Sequence, residues 1–401
     1  MSEILARHCF ACGSSELETF WRVDSIPAHC VLLMRTRAEA IGYPRGDLEL
    51  AHCRACGFVQ NSRFRKEVHE YSPRCEESQA FSGTFNRFAK ELATEYLQRY
   101  HPRSVLEIGC GKGDFLALIC ELGGCTGIGI DPGLQPERVR DAAGGRIRWI
   151  VDFYDERWSA LSADLVLCRH TLEHIQDVAA FVSTVHRSAP RDARSVVAFE
   201  LPDLERILVE GAFWDVYYEH CSYFTLGSLA RLFRRCGFAV ERLEKCFGDQ
   251  YLLVDARVDG RARASTPLPA EDDLVRTAQQ VDRFRRAAPA ALAAWRAWFA
   301  EAAARGEKVV LWGSGSKAVA FLTTLGLGDE VACVTDVNPY RHGMFVPGSG
   351  HEIVPPAELT RVRPARVVAM NPIYLDEIRA DLAALGLHPQ LVALGHPSGP
   401  A

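Results

Sequence analysis

The chain is short of the features that would commit it to a membrane or to nucleic acid. Nowhere in its 401 residues is there an uncharged apolar run of the roughly 18 residues that a bilayer span requires. No run of Lys and Arg is long enough to track a phosphate backbone, and 46 Lys and Arg against 51 Asp and Glu leave a formal charge of −5. That balance argues against nucleic acid as a main partner. The opening MSEILARHCF lacks the basic-then-apolar order of a secretory signal, so a cytoplasmic location is expected and no membrane association. There is no internal repeat at a fixed period, and no low-complexity tract longer than one Ala-rich stretch.

What is present is the balance of a folded globular protein, 48% hydrophobic and 24% charged. At about 150 residues per domain, the length accommodates two or three domains. Fourteen Cys is a high count, and without a signal peptide metal binding is a better reading than a disulfide framework. Cys9-Phe10-Ala11-Cys12-Gly13 and Cys53-Arg54-Ala55-Cys56-Gly57 are two knuckles, each placing two thiolates on one side of a tight turn that Gly completes. Four thiolates make a closed tetrahedral zinc site of the structural kind, although the 40 residues between Cys12 and Cys53 exceed the usual ribbon insert. His8 and His52, each one residue before a knuckle, are expected to be solvated neighbours, and Cys30 and Cys75 ordinary thiols. The rest of residues 1–80 reads as irregular, broken by Pro27, Pro44 and Pro73.

Apolar residues recur at helical spacing from Phe85 to Arg99, and from Val105 to Val254 short β-branched runs alternate with helical patterns. The alternation predicts a parallel sheet with crossover helices. The segment from Ser265 to Gly306, with Thr266-Pro267-Leu268-Pro269 near its start, reads as a linker followed by a long helix, interrupted or restarted near Pro289. Lys308–Trp312 then runs into Gly313-Ser314-Gly315-Ser316, and Val331–Thr335 and Val367–Met370 supply further buried strands. Residues 307–401 are therefore expected to form a second, smaller Rossmann-like α/β domain.

Ser104–Ile108 is a buried strand that enters Gly109-Cys110-Gly111-Lys112-Gly113 and then a helix, and only glycine lets a ligand lie directly on such a turn. Asp114 stands where a dinucleotide fingerprint has its last Gly or Ala, which argues against NAD. Eighteen residues after Gly113, the strand Thr126–Ile130 ends at Asp131, placed for two ribose hydroxyls. Ile147–Val151 ends at Asp152-Phe153, an acid for an adenine amino group beside an aromatic face, and Asp164–Cys168 leads into Arg169-His170-Thr171-Leu172-Glu173-His174-Ile175.

Together these segments resemble class I S-adenosylmethionine-dependent methyltransferases over about residues 84–256. The resemblance implies that Glu107, Gly109, Gly111 and Gly113 shape a cofactor pocket, that Asp131 binds ribose, and that Asp152 and Phe153 flank adenine. After the fifth strand comes Phe213-Trp214-Asp215-Val216-Tyr217-Tyr218-Glu219-His220-Cys221-Ser222-Tyr223-Phe224, a loop that should border the methyl donor. His220 suits a base, Glu219 a group that orients it, and Tyr217 a donor to an oxyanion. His174 is a further candidate, and Tyr218, Tyr223 and Phe224 suit the core.

The whole chain resembles the three-domain sugar C-methyltransferases, which act on keto forms of deoxysugars carried on thymidine diphosphate. The matching features are Cys9, Cys12, Cys53 and Cys56, the Tyr-x-Glu-His-x-x-Tyr-Phe motif, and Gly313, Gly315, Lys317, Asp336, Asn338 and Pro339. The resemblance implies a zinc-binding domain over 1–80, a methyltransferase core over 81–262, a linker and long helix over 263–306 and the C-terminal domain over 307–401. It also implies His220 as base, assisted by Glu219, Tyr217, His174 and Tyr71, although the loop around Tyr71 departs from the family's Ser-rich pattern. The Gly313–Lys317 loop is a candidate cradle for the substrate's diphosphate. Alternatives are a methyltransferase of oxygen or carbon in another small natural product, a zinc-ribbon RNA-binding methyltransferase, and a non-catalytic scaffold.

Overall fold

A computed structural model describes residues 6–68, 71–139, 142–190, 195–258 and 266–395. The expected boundary at 262–263 falls outside them. The N-terminal region is a sheet rather than irregular chain: β1 (Leu17–Pro27) pairs antiparallel with β2 (Arg45–Cys53), and β2 with β3 (Val59–Asn61). Two register shifts in β1, at Thr19/Trp21 and Val23/Ile26, absorb its irregular alternation. The hairpin-like pairing also explains the long insert between the knuckles, because it sets Leu17 opposite Cys53 and so returns the second knuckle to the first.

The core strands are β4 (Ser104–Ile108), β5 (Thr126–Ile130), β6 (Ile147–Ile150), β7 (Leu165–Arg169) and β8 (Val196–Pro202). After them come β9 (Ser222–Tyr223), β10 (Ala239–Cys246) and β11 (Tyr251–Arg257). Seven of these form one sheet in the order β10-β11-β8-β7-β4-β5-β6, parallel from β8 to β6, with β11 antiparallel to both of its neighbours. The strand order reverses between β4 and β7, which opens a crevice at their carboxyl ends. β9 leaves this sheet and pairs with β3, so the loop before it is tied to the N-terminal sheet.

The C-terminal strands β12 (Val309–Trp312), β13 (Val331–Thr335), β14 (Ile353–Val354), β15 (Arg366–Ala369) and β16 (Gln390–Ala393) form a parallel sheet in the order β14-β13-β12-β15-β16. The helix Leu274–Ala304 that precedes it runs unbroken through Pro289, contrary to the sequence expectation. Val281, Phe284 and Ala288 before the proline and Trp295 and Phe299 after it are buried. Packing on both sides outweighs the helix bond that proline removes, a loss of about 3 kcal/mol. Phe213 and Trp214, Trp295 of the long helix and Phe321 of the C-terminal domain share one hydrophobic core with Leu50 and Val59. The loop carrying His220 is thereby packed together with the N-terminal sheet, the long helix and the C-terminal domain.

Candidate active site

β4 is buried and delivers the chain at Ile108 to a loop in which Gly109, Gly111 and Gly113 have φ of 69°, 53° and 83°. The three glycines serve different ends. A Cβ on Gly109 would stand 2.0 Å from Thr171 Oγ1, and one on Gly113 would stand 2.7 Å from the Trp149 ring, so Gly113 permits helix packing. Gly109 and Gly111 line a cavity of about 870 Å³ that extends to the C-terminal domain. Glu107 is buried beneath the loop with Oε2 lacking a hydrogen-bond partner, and burial pushes its carboxyl up to about 8. A buried acid with one open oxygen beside a cavity suits a ligand that is cationic or donates a proton.

Asp131 lies at the end of β5, but its carboxylate is turned onto its own surroundings. Oδ2 accepts from Gly111 N–H at 2.9 Å and from the Tyr71 hydroxyl at 3.3 Å, and Oδ1 accepts from Gly133 N–H at 2.6 Å. Tyr71 thus covers the ribose acid in this conformation. Asp152 and Phe153 are not among the cavity-lining residues. Asp152 accepts from Arg157 and from the Trp158 indole, both at 3.1 Å, and Phe153 is 58% exposed.

The Phe213–Phe224 loop brings the predicted catalytic side chains together. His220 is buried, with its ring edge-on to His174 at 4.8 Å and to Tyr217 at 4.7 Å. Burial, reinforced by His174, pulls His220 down to about 4, leaving a neutral imidazole able to accept a proton. Glu219 is buried too, with Oε2 2.9 Å from His29 Nδ1. Although burial opposes the charge, Glu219 lifts His29 to about 10. The Tyr217 hydroxyl donates to Asp215 Oδ1 at 2.7 Å, and Asp215 is also ion-paired with Arg206 and Lys317. Tyr218, Tyr223 and Phe224 lie in the core, as expected. Glu173, buried beside His174, completes the cluster, its donor atom within 4.8 Å of those of His174 and His220.

Three residues of this constellation escaped the sequence reading. Asp215 stood in the quoted loop but had no partner there, since Lys317 lies 102 positions away. Glu173 sat unassigned inside the Leu172-Glu173-His174 stretch, and His29 had no motif around it.

In the C-terminal domain Gly313, Gly315 and Lys317 line the same cavity. The loop's groups already have partners: Asp336 Oδ2 accepts from Ser314 N–H at 2.7 Å and from its hydroxyl at 2.6 Å. Lys317 is turned to Asp215 rather than held free for a phosphate.

The four knuckle thiols converge, with Cys9 Sγ 3.6 Å from Cys56 Sγ and Cys12 Sγ 3.6 Å from Cys53 Sγ. Gly13 and Gly57, at φ of 78° and 75°, close the two turns through N–H bonds to the Cys9 and Cys53 carbonyls. His8 is exposed as expected, but His52 is buried, because β2 carries it into the sheet.

Residues 60–243 match the family described as a methyltransferase domain, and residues 261–388 the family described as a C-methyltransferase C-terminal domain. The C-methyltransferase NovU of Streptomyces niveus is 26% identical over 292 residues, which cover 68% of this chain and 67% of that protein. An O-methyltransferase family protein from Burkholderia thailandensis aligns at 18% identity and a TM-score of 0.37 over 44% of this chain, which spans only 57% of that structure. The 1,6-didemethyltoxoflavin N1-methyltransferase of the same organism, solved with S-adenosylhomocysteine, aligns at 20% identity and a TM-score of 0.35, covering 46% of this chain and 80% of its own. The protein is an enzyme, an S-adenosylmethionine-dependent methyltransferase. Among the described residues no helix is long and apolar enough to cross a membrane.

Proposed function

We propose that this enzyme methylates carbon next to the ketone of a nucleotide-linked deoxysugar, with His220 as the base. The observation that carries this reading is a buried, neutral His220 on the cavity wall, held between His174 and Tyr217. Similarity to a C-methyltransferase and to a C-methyltransferase C-terminal domain supports carbon as the acceptor. When bound, the cofactor supplies an electrophilic methyl group on a sulfonium. Glu107, Gly109 and Gly111 would hold it, with Asp131 taking the ribose once Tyr71 gives up its bond.

His220 takes the proton from the carbon beside the ketone, and that bond's electrons move to the ketone oxygen as an enolate. The enolate carbon would then take the methyl group, the new C–C bond forming as the methyl–sulfur bond breaks and its electron pair stays on the sulfur of the departing S-adenosylhomocysteine, while the carbonyl re-forms. The imidazolium is stabilised by Glu173 and Glu219, whose charges raise the affinity of His220 for its proton. Lys317 and Arg206 neutralise Asp215, so the Tyr217 hydroxyl can turn its proton toward the developing oxyanion. Tyr71 and His174 close the pocket around these groups.

Zinc would be held by Cys9, Cys12, Cys53 and Cys56. Their 3.6 Å sulfur pairs fit the roughly 3.8 Å edge of a tetrahedron with bonds of about 2.3 Å. A closed set of four thiolates leaves no open position, so the role is structural: it anchors the N-terminal sheet that carries β9.

The test is incubation with S-adenosylmethionine and thymidine-diphosphate keto-sugars in deuterium oxide, followed by mass spectrometry. Exchange beside the ketone together with a new C–CH3 is expected. In His220→Ala both should fall by about 10²–10⁴-fold, with cofactor affinity kept. Methyl transfer to oxygen without exchange would instead assign a hydroxyl acceptor.

A further inference from the structure

The stretch from Glu76 to Thr84 lies between the glycine loop of the core and the C-terminal domain. On the core side, Ser78 Oγ donates to Asp114 Oδ2 at 2.6 Å. Glu77 sits on the loop itself, so close that a Cβ on Gly111 would stand 2.7 Å from its Oε1. Both Glu77 carboxylate oxygens are buried with no hydrogen-bond partner, and Lys112 Nζ is 3.9 Å from Oε2. A buried carboxylate left this way costs free energy unless something cationic or proton-donating completes it.

On the other side the C-terminal domain supplies the partners. Asn338 Nδ2 donates to Glu76 Oε1 at 3.0 Å and to the Ser78 carbonyl at 3.4 Å, and Arg341 donates to the Glu76 carbonyl. The Tyr374 hydroxyl donates to Gln79 Oε1 at 3.0 Å, while Glu377 accepts from the Ser82 hydroxyl at 2.9 Å and from Thr84 N–H at 3.1 Å. Asp336 in turn sets Asn338 by accepting its backbone N–H at 2.9 Å. The Asp-x-Asn-Pro motif is therefore used to dock a strap.

We infer that the C-terminal domain is part of the methyl-donor site: Asn338 and Arg341 are positioning residues that hold the 76–84 strap on the glycine loop, and Glu77 is the strap's contact with the donor's cationic end. The inference rests on the glycine loop being the donor site. S-adenosylmethionine carries two positive charges, an ammonium and a sulfonium, and its product S-adenosylhomocysteine has lost the second. A carboxylate brought to that pocket favours the donor over the spent product. Donor affinity then scales with the fraction of molecules whose strap is docked.

The test is calorimetric titration of the full chain with S-adenosylmethionine and S-adenosylhomocysteine. Asn338→Asp sets a carboxylate against Glu76 and should weaken donor binding about tenfold or more, the effect of undocking nine straps in ten. Adding Glu76→Gln turns an amide donor toward the new carboxylate while its oxygen still accepts from Arg138, which pairs with Glu76 Oε2 at 2.8 Å, and should recover most of that loss, a rescue that general destabilisation would not show. Glu77→Gln, which leaves every C-terminal contact in place, should weaken S-adenosylmethionine more than S-adenosylhomocysteine. Wild-type affinity in Asn338→Asp, or no recovery in the double variant, overturns the strap. Equal losses for the two ligands in Glu77→Gln, or none, overturn the role of Glu77. Failure of the wild-type protein to bind S-adenosylmethionine would instead undo the reading of the glycine loop on which this rests.

Discussion

Gly109–Gly113 follows β4 and Gly313–Gly315 follows β12; each leads into a helix, and each is answered by an Asp at or just beyond the end of the next strand. The answering bonds are alike as well. Asp131 accepts Gly111 N–H at 2.9 Å and Asp336 accepts Ser314 N–H at 2.7 Å, and each Asp also accepts an N–H two residues onward, from Gly133 and Asn338. The loops differ in what surrounds them. The first is bordered by Glu107 and Glu77, carboxylates with unpartnered oxygens beside a cavity. Around the second, Lys317 is paired with Asp215, Arg341 donates to the Ser314 carbonyl, and Asn338 binds Glu76. Carboxyl oxygens without hydrogen-bond partners mark a loop that waits for a ligand, and satisfied groups mark one that docks against its own chain.

The contrast is broken most sharply by adding one methyl group to each loop. Gly109→Ala places a Cβ 2.0 Å from Thr171 Oγ1 at a φ of 69°. It should cost at least about 2 kcal/mol in urea denaturation and abolish measurable donor binding. Gly315→Ala meets nothing within 4 Å at a φ of −76°, and should stay within about 0.5 kcal/mol of the parent with donor affinity kept.

Lys317→Met probes the second loop without touching the first. It breaks the pair with Asp215, which Arg206 and Tyr217 still hold, and should cost about 1–2 kcal/mol of stability. Turnover should fall about tenfold as the Tyr217 hydroxyl loses its setting, with the dissociation constant for S-adenosylmethionine unchanged. A weakened donor complex with unchanged turnover would place Lys317 on the wrong side of the comparison.

The effects of pH run in opposite directions for two histidines that line the cavity. His220 is lowered to about 4 in the folded protein, below its ordinary value of about 6.5. The unfolded chain therefore binds more protons between those values, and His220's contribution to stability is lost as pH falls from 6.5 toward 4. His29 is raised to about 10, so its contribution is complete below pH 6.5 and is lost as pH rises toward 10. Denaturation midpoints across pH should show His29→Gln flattening the alkaline fall and His220→Asn the acid one.

Much of this architecture was legible in the chain itself. Gly109, Gly111 and Gly113 after a β-branched strand admit few structures besides a strand–loop–helix turn, and two Cys-x-x-Cys-Gly knuckles announce a four-thiol cluster wherever the intervening chain runs. The Tyr217–His220 run was readable because its residue types suit proton transfer and it follows the fifth strand of an alternating pattern. The readings of Pro289 and of residues 1–80 went astray because burial on both sides of a proline, and strands with irregular alternation, are settled by tertiary partners. Asp152 and Phe153 matched the fold's usual spacing, yet the side chains that hold Asp152, Arg157 and Trp158, are not chosen by that spacing.

The sequence by itself determined the kinds of element and the kinds of chemistry, since hydrophobic period, glycine conformation and donor type are properties of short segments. Only the tertiary structure decided which carboxylate meets which partner: that Lys317 serves Asp215, that Glu219 faces His29, and that Asn338 donates to Glu76. Those pairings join residues 102, 190 and 262 positions apart. Electrostatic partnership depends on distance in space and on burial, and a linear order of residues carries neither.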